Sequence, residues 1–507
     1  AAIHFKDRLD LIQRTPWWVI SVVFHAAFLL MAAMWVVSSS REQEAFSIFE
    51  MNVKTFKKPE YDPTLKRDIK RSNKEVKDEV QVENPVITKE DLEIDELETP
   101  DNMEREHKAR GRQEAMSTIE LQGDGWVGVF GVGGGGSGTY GWRDGGGKKR
   151  ALGRFGGGAA SESAVLAALR WFKQHQRVDG GWSFHEYWKE CKLNPNCEHR
   201  ADLEKYPDGD NGATGFALLC FLGAGHTHKA GKFRQQVSKG LEYLKKHQKQ
   251  DGSFCKFNYV NGIATMALAE AYGMTKSQKL KEPAQKSVDH LLAQQNADGY
   301  LGWNYRGPSD RTDMSVTGWA VMGLKSAKSA DLNIGNSFEG ITNVLEKTTK
   351  YYENNGESER KVHLVNYSYI ESQDKGSGGS KRLIAVGMLC RIFVGQDTQG
   401  QILRAHAERV LQFLPSKDYK EADLYLLYYG TLAMFQMGKE YWNQWNERVK
   451  TLLCDNQRKD GCNDGSWDAP AKGNASFNKL GGRLFATAVA CLSLEVYYRY
   501  LPIAMLK

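Results

Sequence analysis

Between residues 161 and 499 the apolar positions fall into two alternating kinds of helical segment. Segments near 161–176, 232–248, 278–295, 338–354, 401–414 and 440–457 carry one apolar stripe at helical spacing and a polar opposite side. The segments that follow them, near 211–224, 260–273, 313–329, 380–394, 421–437 and 481–499, are apolar nearly all round. A helix with one apolar stripe lies on a surface, whereas one that is apolar on every side is enclosed. Six alternations therefore predict six helical hairpins, with inner helices wrapped by outer ones, and an all-α (α/α)6 toroid over residues 160–507.

A short phrase recurs where the outer segments end. It reads QRVDGGW from Gln176 to Trp182, QKQDGSF from Gln248, QNADGYLGW from Gln295 and QRKDGCNDGSW from Gln457 to Trp467. The last carbonyls of a helix lack intrahelical partners, and Gly permits the left-handed residue that ends a helix. A glutamine amide can donate to such carbonyls while the aromatic covers the joint. The phrase is thus expected to fasten neighbouring hairpins rather than to do chemistry.

The first and fourth copies resemble the QW motifs of the squalene-cyclase and prenyltransferase repeat family, and the middle two are degenerate, with Phe254 and a displaced Trp303. SVTGWAVMGLKSAKSA, LYLLYYGTLAMFQMG and GGRLFATAVACLSLEVYYRYLP look like a membrane-anchored bacterial branch of that family. The resemblance covers roughly residues 160–500 and implies the toroid more strongly than any activity. Cyclases of the family carry an Asp-x-Asp-Asp acid, but the nearest match, Asp208-Gly-Asp210-Asn211, lacks the last aspartate. Prenyltransferases hold zinc with an Asp-x-Cys pair and a distant His, and no His follows Asp460-Gly-Cys462. The expectation is a binding protein without a cofactor or metal, and the alternative is a tethered enzyme that is terpenoid cyclase-like or processes a glycan through paired carboxylates.

Upstream of the toroid, residues 16–37, PWWVISVVFHAAFLLMAAMWVV, are long and apolar enough for one membrane crossing. Trp17, Trp18 and Trp35 stand at its ends as interfacial aromatics, and Lys6, Arg8 and Arg14 precede it. Residues 1–38 are accordingly expected to form a cytoplasmic N-terminus and inner-membrane anchor, with the bulk of the chain in the periplasm. Ser21 and His25 lie one helical turn apart on one face, where an ionisable group is costly and usually functional. SVVFH resembles the Ser-x-x-x-His pattern of the TonB anchor helix, which implies coupling to an ExbB/ExbD-type proton-motive motor and a periplasmic or outer-membrane partner. The charged residues 39–122 read as a tether, and the Gly-rich residues 123–159 as a hinge, with Tyr140 and Trp142 among aromatics that fold back on a surface. That segment lacks the P-loop pattern.

Charge and cysteines add less. A net charge of +6, dispersed over 507 residues, gives no footprint for nucleic acid. Cys220, Cys390 and Cys491 fall in apolar segments and read as core. Cys191 with Cys197, and Cys454 with Cys462, stand near one another in or beside loops and are expected to form disulfides in an oxidising compartment. Cys191, Cys197 and His199 offer zinc only three ligands at an unusual spacing.

Any ligand is expected at the mouth where the inner helices begin. Candidate pocket residues there are Asp210, Asn261, Asp313, Trp319, Arg382, Asp423, Tyr429 and Arg483, with Tyr259 and Tyr425 nearby. The alternating run VHLVNYSYI, in the long connection 351–380, is expected to form a strand pair over that mouth.

Overall fold

The computed structural model describes residues 140–499, apart from 141, 144, 198–208, 297–301, 310, 351–365, 368–380 and 473–474. The expected anchor with Ser21 and His25, and the tether, lie outside the described residues. Among the described residues no helix is long and apolar enough to cross a membrane.

Helix α1 (Gly145–Phe155) precedes the first hairpin. It is a helix that the glycine-rich composition conceals. The outer helices are α2 (Ala159–Gln174), α4 (Arg234–His247), α6 (Gln278–Ala293), α8 (Ser337–Thr348), α10 (Gln401–Leu411) and α12 (Lys439–Asp455). The inner helices are α3 (Gly209–Gly223), α5 (Asn258–Thr275), α7 (Met314–Ser329), α9 (Lys381–Phe393), α11 (Leu424–Met437) and α13 (Ala475–Leu494). A short α14 (Val496–Arg499) follows. Each inner helix packs on the inner helix before it and the one after it, and α13 packs on α3, so the inner ring closes. Helix α2 sits against both α3 and α13, and α12 against α2, which closes the outer layer at the same place. This is the (α/α)6 toroid that the alternation predicts.

The inner helices run parallel and close together. A Cβ on Gly215 of α3 would come within 2.9 Å of Ile263 on α5, and one on Gly262 within 3.1 Å of the Trp319 backbone on α7. Gly318 of α7 likewise faces Val386 of α9, Tyr425 of α11 bonds Ser315 O of α7, and Phe216 of α3 meets Phe485 of α13, so the inner helices make contact at matching heights and their starts share one face. Close backbone approach across a buried seam explains the small residue at each point. In α13 the helix is interrupted at Gly482, whose φ of 59° is a conformation that only glycine adopts freely.

The recurring phrase does what its residue types promise. Gln176 Nε2 donates to Gly180 O at 2.8 Å within its own turn and to Gln236 O on α4 at 2.9 Å. Gln248 repeats this with Gly252 O and Pro283 O on α6, and Gln295 donates to Ser337 O on α8. Gln457 donates to Gly465 O at 2.9 Å and to Ala164 O on α2 at 2.8 Å, tying the last hairpin to the first. The tryptophans donate to carbonyls in the last turn of the outer helices: Trp182 Nε1 bonds Phe172 O, Trp303 Nε1 bonds Leu291 O and Trp467 Nε1 bonds Leu453 O, each at 2.8 Å. Glutamine thus joins repeats, and tryptophan caps the helix it follows.

The face where the inner helices end is closed by charge. Tyr140, Trp142 and Arg143 fold back and are buried there, as the interleaved aromatics predict. Arg143 meets Glu270 at 2.7 Å, and Arg499 meets both Glu270 oxygens at 2.8 and 2.9 Å. Glu495 holds only a second claim on Arg499, at 3.3 Å. Burial therefore dominates, and its pKa rises to about 8 despite the arginines. β1 (Thr349–Lys350) and β2 (Asn366–Tyr367) pair antiparallel, so one member of the expected strand pair falls within VHLVNYSYI and the other directly follows α8.

Gln457→Ala is expected to cost about 1–2 kcal/mol, because two carbonyls lose their donor. Gln250→Ala, at an exposed position of its phrase, should stay within about 0.5 kcal/mol. Denaturant titration of the two variants checks this. A second expectation concerns pH. Glu495 is raised from 4.5 to about 8 in the folded chain, so the folded state holds a proton that the unfolded state has lost. Its contribution is most favourable below the unfolded pKa and falls as pH rises from about 4.5 to about 8. Glu495→Gln should flatten that part of a stability-versus-pH curve.

Candidate functional site

The face where the inner helices begin also receives the turns that carry the recurring phrase. Of the candidate pocket residues, Asp210, Asn261, Asp313, Arg382, Asp423 and Arg483 come to this side of the ring, but most are occupied by the fold. Asp313 is the N-cap of α7: Oδ1 accepts from Ser315 N at 2.9 Å and from Val316 N at 3.4 Å. Asp423 caps α11 and pairs with Arg382 at 2.5 Å. Asn261 accepts from Phe254 N at 2.9 Å and donates to Cys255 O at 2.9 Å, locking the second phrase loop. Arg483 is buried and binds Ser466 Oγ at 2.7 Å and the Asp468 carboxylate. Asp210, in the first turn of α3, meets Arg177 of the first phrase at 2.6 Å. Burial keeps its carboxyl above the usual range, although Ser183 and Arg177 pull it down.

Trp319 and Tyr429 are brought together, in the centre of the ring. Trp319 stacks on Tyr428 at 5.5 Å and meets Tyr429, Tyr425 and Phe216 edge-on at 5.5, 6.4 and 5.3 Å. Phe485 closes the group against Phe216 at 5.6 Å. All six rings are buried. Here the expectation of an open aromatic wall is corrected: these rings are the core of the inner ring, because parallel inner helices point their largest side chains at a common axis.

Beside α5 and α7, Tyr305 and Arg311 reach solvent above a buried hydrogen-bonded chain. The Tyr259 hydroxyl makes a short hydrogen bond to Ser315 Oγ, Ser315 Oγ donates to Asp313 Oδ1 at 2.5 Å, and Tyr425 donates to Ser315 O at 2.8 Å. Tyr305, 38% exposed, lies 5.6 Å from the Tyr259 ring. Arg311 stands over Tyr305 at 6.0 Å and reaches Asp313 at 3.6 Å. Arg306 covers Phe257 at 4.6 Å. Tyr305, Ser315 and Arg311 are functional candidates that the sequence reading does not single out, because Tyr305 and Arg311 fall in an irregular loop with no periodicity. A separate cleft of about 470 Å³ opens between α9 and α11, lined by Lys381, Gln412, Pro415, Glu421, Asp423 and Lys472 among others.

The cysteines also depart from expectation. Cys191, Cys197, Cys454 and Cys462 form no disulfide in the structure, and their grouping is not that of two loop disulfides. Cys462 joins Cys191 and Cys197 around His175, whereas Cys454, on α12, stands outside that group. Cys220, Cys390 and Cys491 are buried in inner helices, as their apolar surroundings predict, and Cys255 is buried too.

The squalene-hopene cyclase C-terminal domain family model matches residues 159–363, less than half of the chain. It agrees with the QW-like phrases and the toroid. Among solved structures, the chain is similar to an inactive variant of the GH76A alpha-1,6-mannanase of Salegentibacter sp. HEL1_6 in complex with alpha-1,6-mannotetrose. The identity is 10%, with 67% of this chain and 99% of the mannanase covered and a TM-score of 0.44. It is also similar to a novel alpha-amylase from Clostridium perfringens, at 13% identity, 66% and 98% coverage and a TM-score of 0.42. No curated protein matches the chain.

Proposed function

We propose that the chain is a membrane-tethered, periplasmic binding protein whose toroid takes a polyhydroxylated ligand on the face where its inner helices begin. The observation that carries this reading is the Tyr259–Ser315–Asp313 chain beneath the exposed Tyr305. An aromatic face offers an apolar platform with polar handles at its edge, which suits the C–H face and the hydroxyls of a saccharide. Arg311, partly exposed and held from below by the buried Asp313, supplies a donor beside it. Terpenoid cyclisation is the less suited alternative, since the axis of the ring is filled by Trp319, Tyr425, Tyr428, Tyr429, Phe216 and Phe485.

A glycan-processing activity draws on the same face and is the reading favoured by one further observation. Asp210 and Asp313 both hold their protons more tightly than ordinary aspartates, because burial outweighs their hydrogen bonds and arginine partners. An upward shift is the direction in which the surroundings of a general acid act, and Asp210 is the one of the two that is not fully enclosed. Coupling to an ExbB/ExbD-type motor is supported by the Ser21 and His25 pattern alone.

Titration calorimetry of Tyr305→Ala against neutral oligosaccharides should show about tenfold weaker binding than the parent chain, the loss of one stacking contact. Unchanged affinity would move the site to the cleft at Asp423. In the same preparations, release of reducing sugar that is abolished by Asp210→Asn would replace binding by hydrolysis as the function. For the tether, purification in a gentle detergent should bring down a multi-pass membrane ring and a small single-pass companion, with His25→Ala dissociating or silencing them. A toroid protein that purifies alone removes the motor from the reading.

A further inference from the structure

Four side chains from distant parts of the chain converge at the seam where the ring closes. His175 is the C-cap of α2, Cys191 and Cys197 lie in the loop from α2 towards α3, and Cys462 lies in the fourth phrase, between α12 and α13. Their ligand atoms all lie within 4.8 Å of one another. His175 Nε2 is 3.5 Å from Cys191 Sγ, 3.4 Å from Cys197 Sγ and 3.4 Å from Cys462 Sγ. We propose that these four residues bind one zinc ion, in a closed tetrahedral Cys3His site that clasps the first hairpin of the toroid to the last.

The distances carry the argument. Zinc bound tetrahedrally, with nitrogen at about 2.0–2.1 Å and sulfur at about 2.3 Å, sets nitrogen and sulfur about 3.5 Å apart. The three observed separations match that spacing. The histidine is oriented as a metal ligand is: Nδ1 bonds Trp171 O at 2.7 Å, which fixes the tautomer and turns the Nε2 lone pair towards the sulfurs. Its ring is fully buried and stacks on Trp171 at 4.3 Å. A disulfide between Cys191 and Cys197 would use two of the four groups and leave His175 and Cys462 aimed at nothing.

Three thiolates and an imidazole suit zinc among the common divalent ions. With four protein ligands there is no open position for water or substrate, so the role is structural. The place of the site says what it holds. The Cys462 N–H donates to Pro195 O at 3.1 Å, and a Cβ on Gly461 would collide with Asn194 O at 2.4 Å, so the first and last loops already touch. Gln457 ties the same seam from the helix side. The fourth phrase is longer than the first, with Gln457 and Gly465 eight residues apart against four for Gln176 and Gly180. The extra residues, 461–464, are the ones that carry Cys462 to the seam.

The test is metal analysis of the full chain, purified without added metal. About one equivalent of zinc per chain is expected, with X-ray absorption showing three sulfurs and one nitrogen around it. Cys462→Ser should lose the zinc, whereas Cys454→Ser should keep it. Should Cys462→Ser fail to fold, the intact chain still decides: modifying its thiols should release the zinc and lower the thermal midpoint. A chain that is 2 Da light with a Cys191–Cys197 crosslink, free thiols without metal, or zinc that survives Cys462→Ser would each overturn the site.

Discussion

A ring of hairpins is held only as well as the joint between its last repeat and its first. The other joints between adjacent hairpins round the ring link neighbours in sequence, so their loop-closure entropy is modest. The seam between α2–α3 and α12–α13 joins residues almost 300 positions apart, as in the bond from Gln457 to Ala164. It must therefore be strong enough to hold the whole circle. The structure concentrates contacts there: the Gln457 amide, the meeting of Cys462 with Pro195, and the cluster around His175. A stacked repeat array that does not close exposes an apolar end and needs a cap; this one covers its end with its beginning.

The same geometry limits where a ligand can sit. Closing six parallel inner helices on one axis directs their large side chains inward, and Trp319, Tyr425, Tyr428 and Tyr429 fill that space. The far face is occupied by the Arg143–Glu270–Arg499 network and by the returning Tyr140 and Trp142. What is left is the rim where phrases and inner-helix starts meet. There the fold leaves Tyr305 exposed and Tyr259 tethered to Ser315. Repeat joints that serve stability thus also make the surface on which recognition can be built.

The alternation of one-stripe and all-round apolar segments was enough to place all twelve ring helices, because burial on one side or on both leaves a periodic trace in the chain. The recurring phrase could be read as a fastener because unpaired carbonyls at a helix end demand donors, and glutamine and tryptophan are donors. The pocket residues were only half legible. Asp313 and Asp423 stand where polar residues at helix starts are expected, but an aspartate that caps a helix and one that meets a ligand look alike in sequence. Helix α1 was hidden by its glycines.

What the sequence determined by itself is what depends on neighbours along the chain: helix periodicity, the hairpin repeat and the chemistry of each joint. Only the tertiary structure decided which distant residues share a site. His175 falls at the end of the first outer helix and reads as an ordinary terminal histidine, and Cys462 reads as the partner of the nearby Cys454. Their meeting with Cys191 and Cys197 depends on the angle at which each of six hairpins packs on the next, accumulated round the circle until the last returns to the first. No local pattern records that sum, because it is a property of packing side chains in three dimensions.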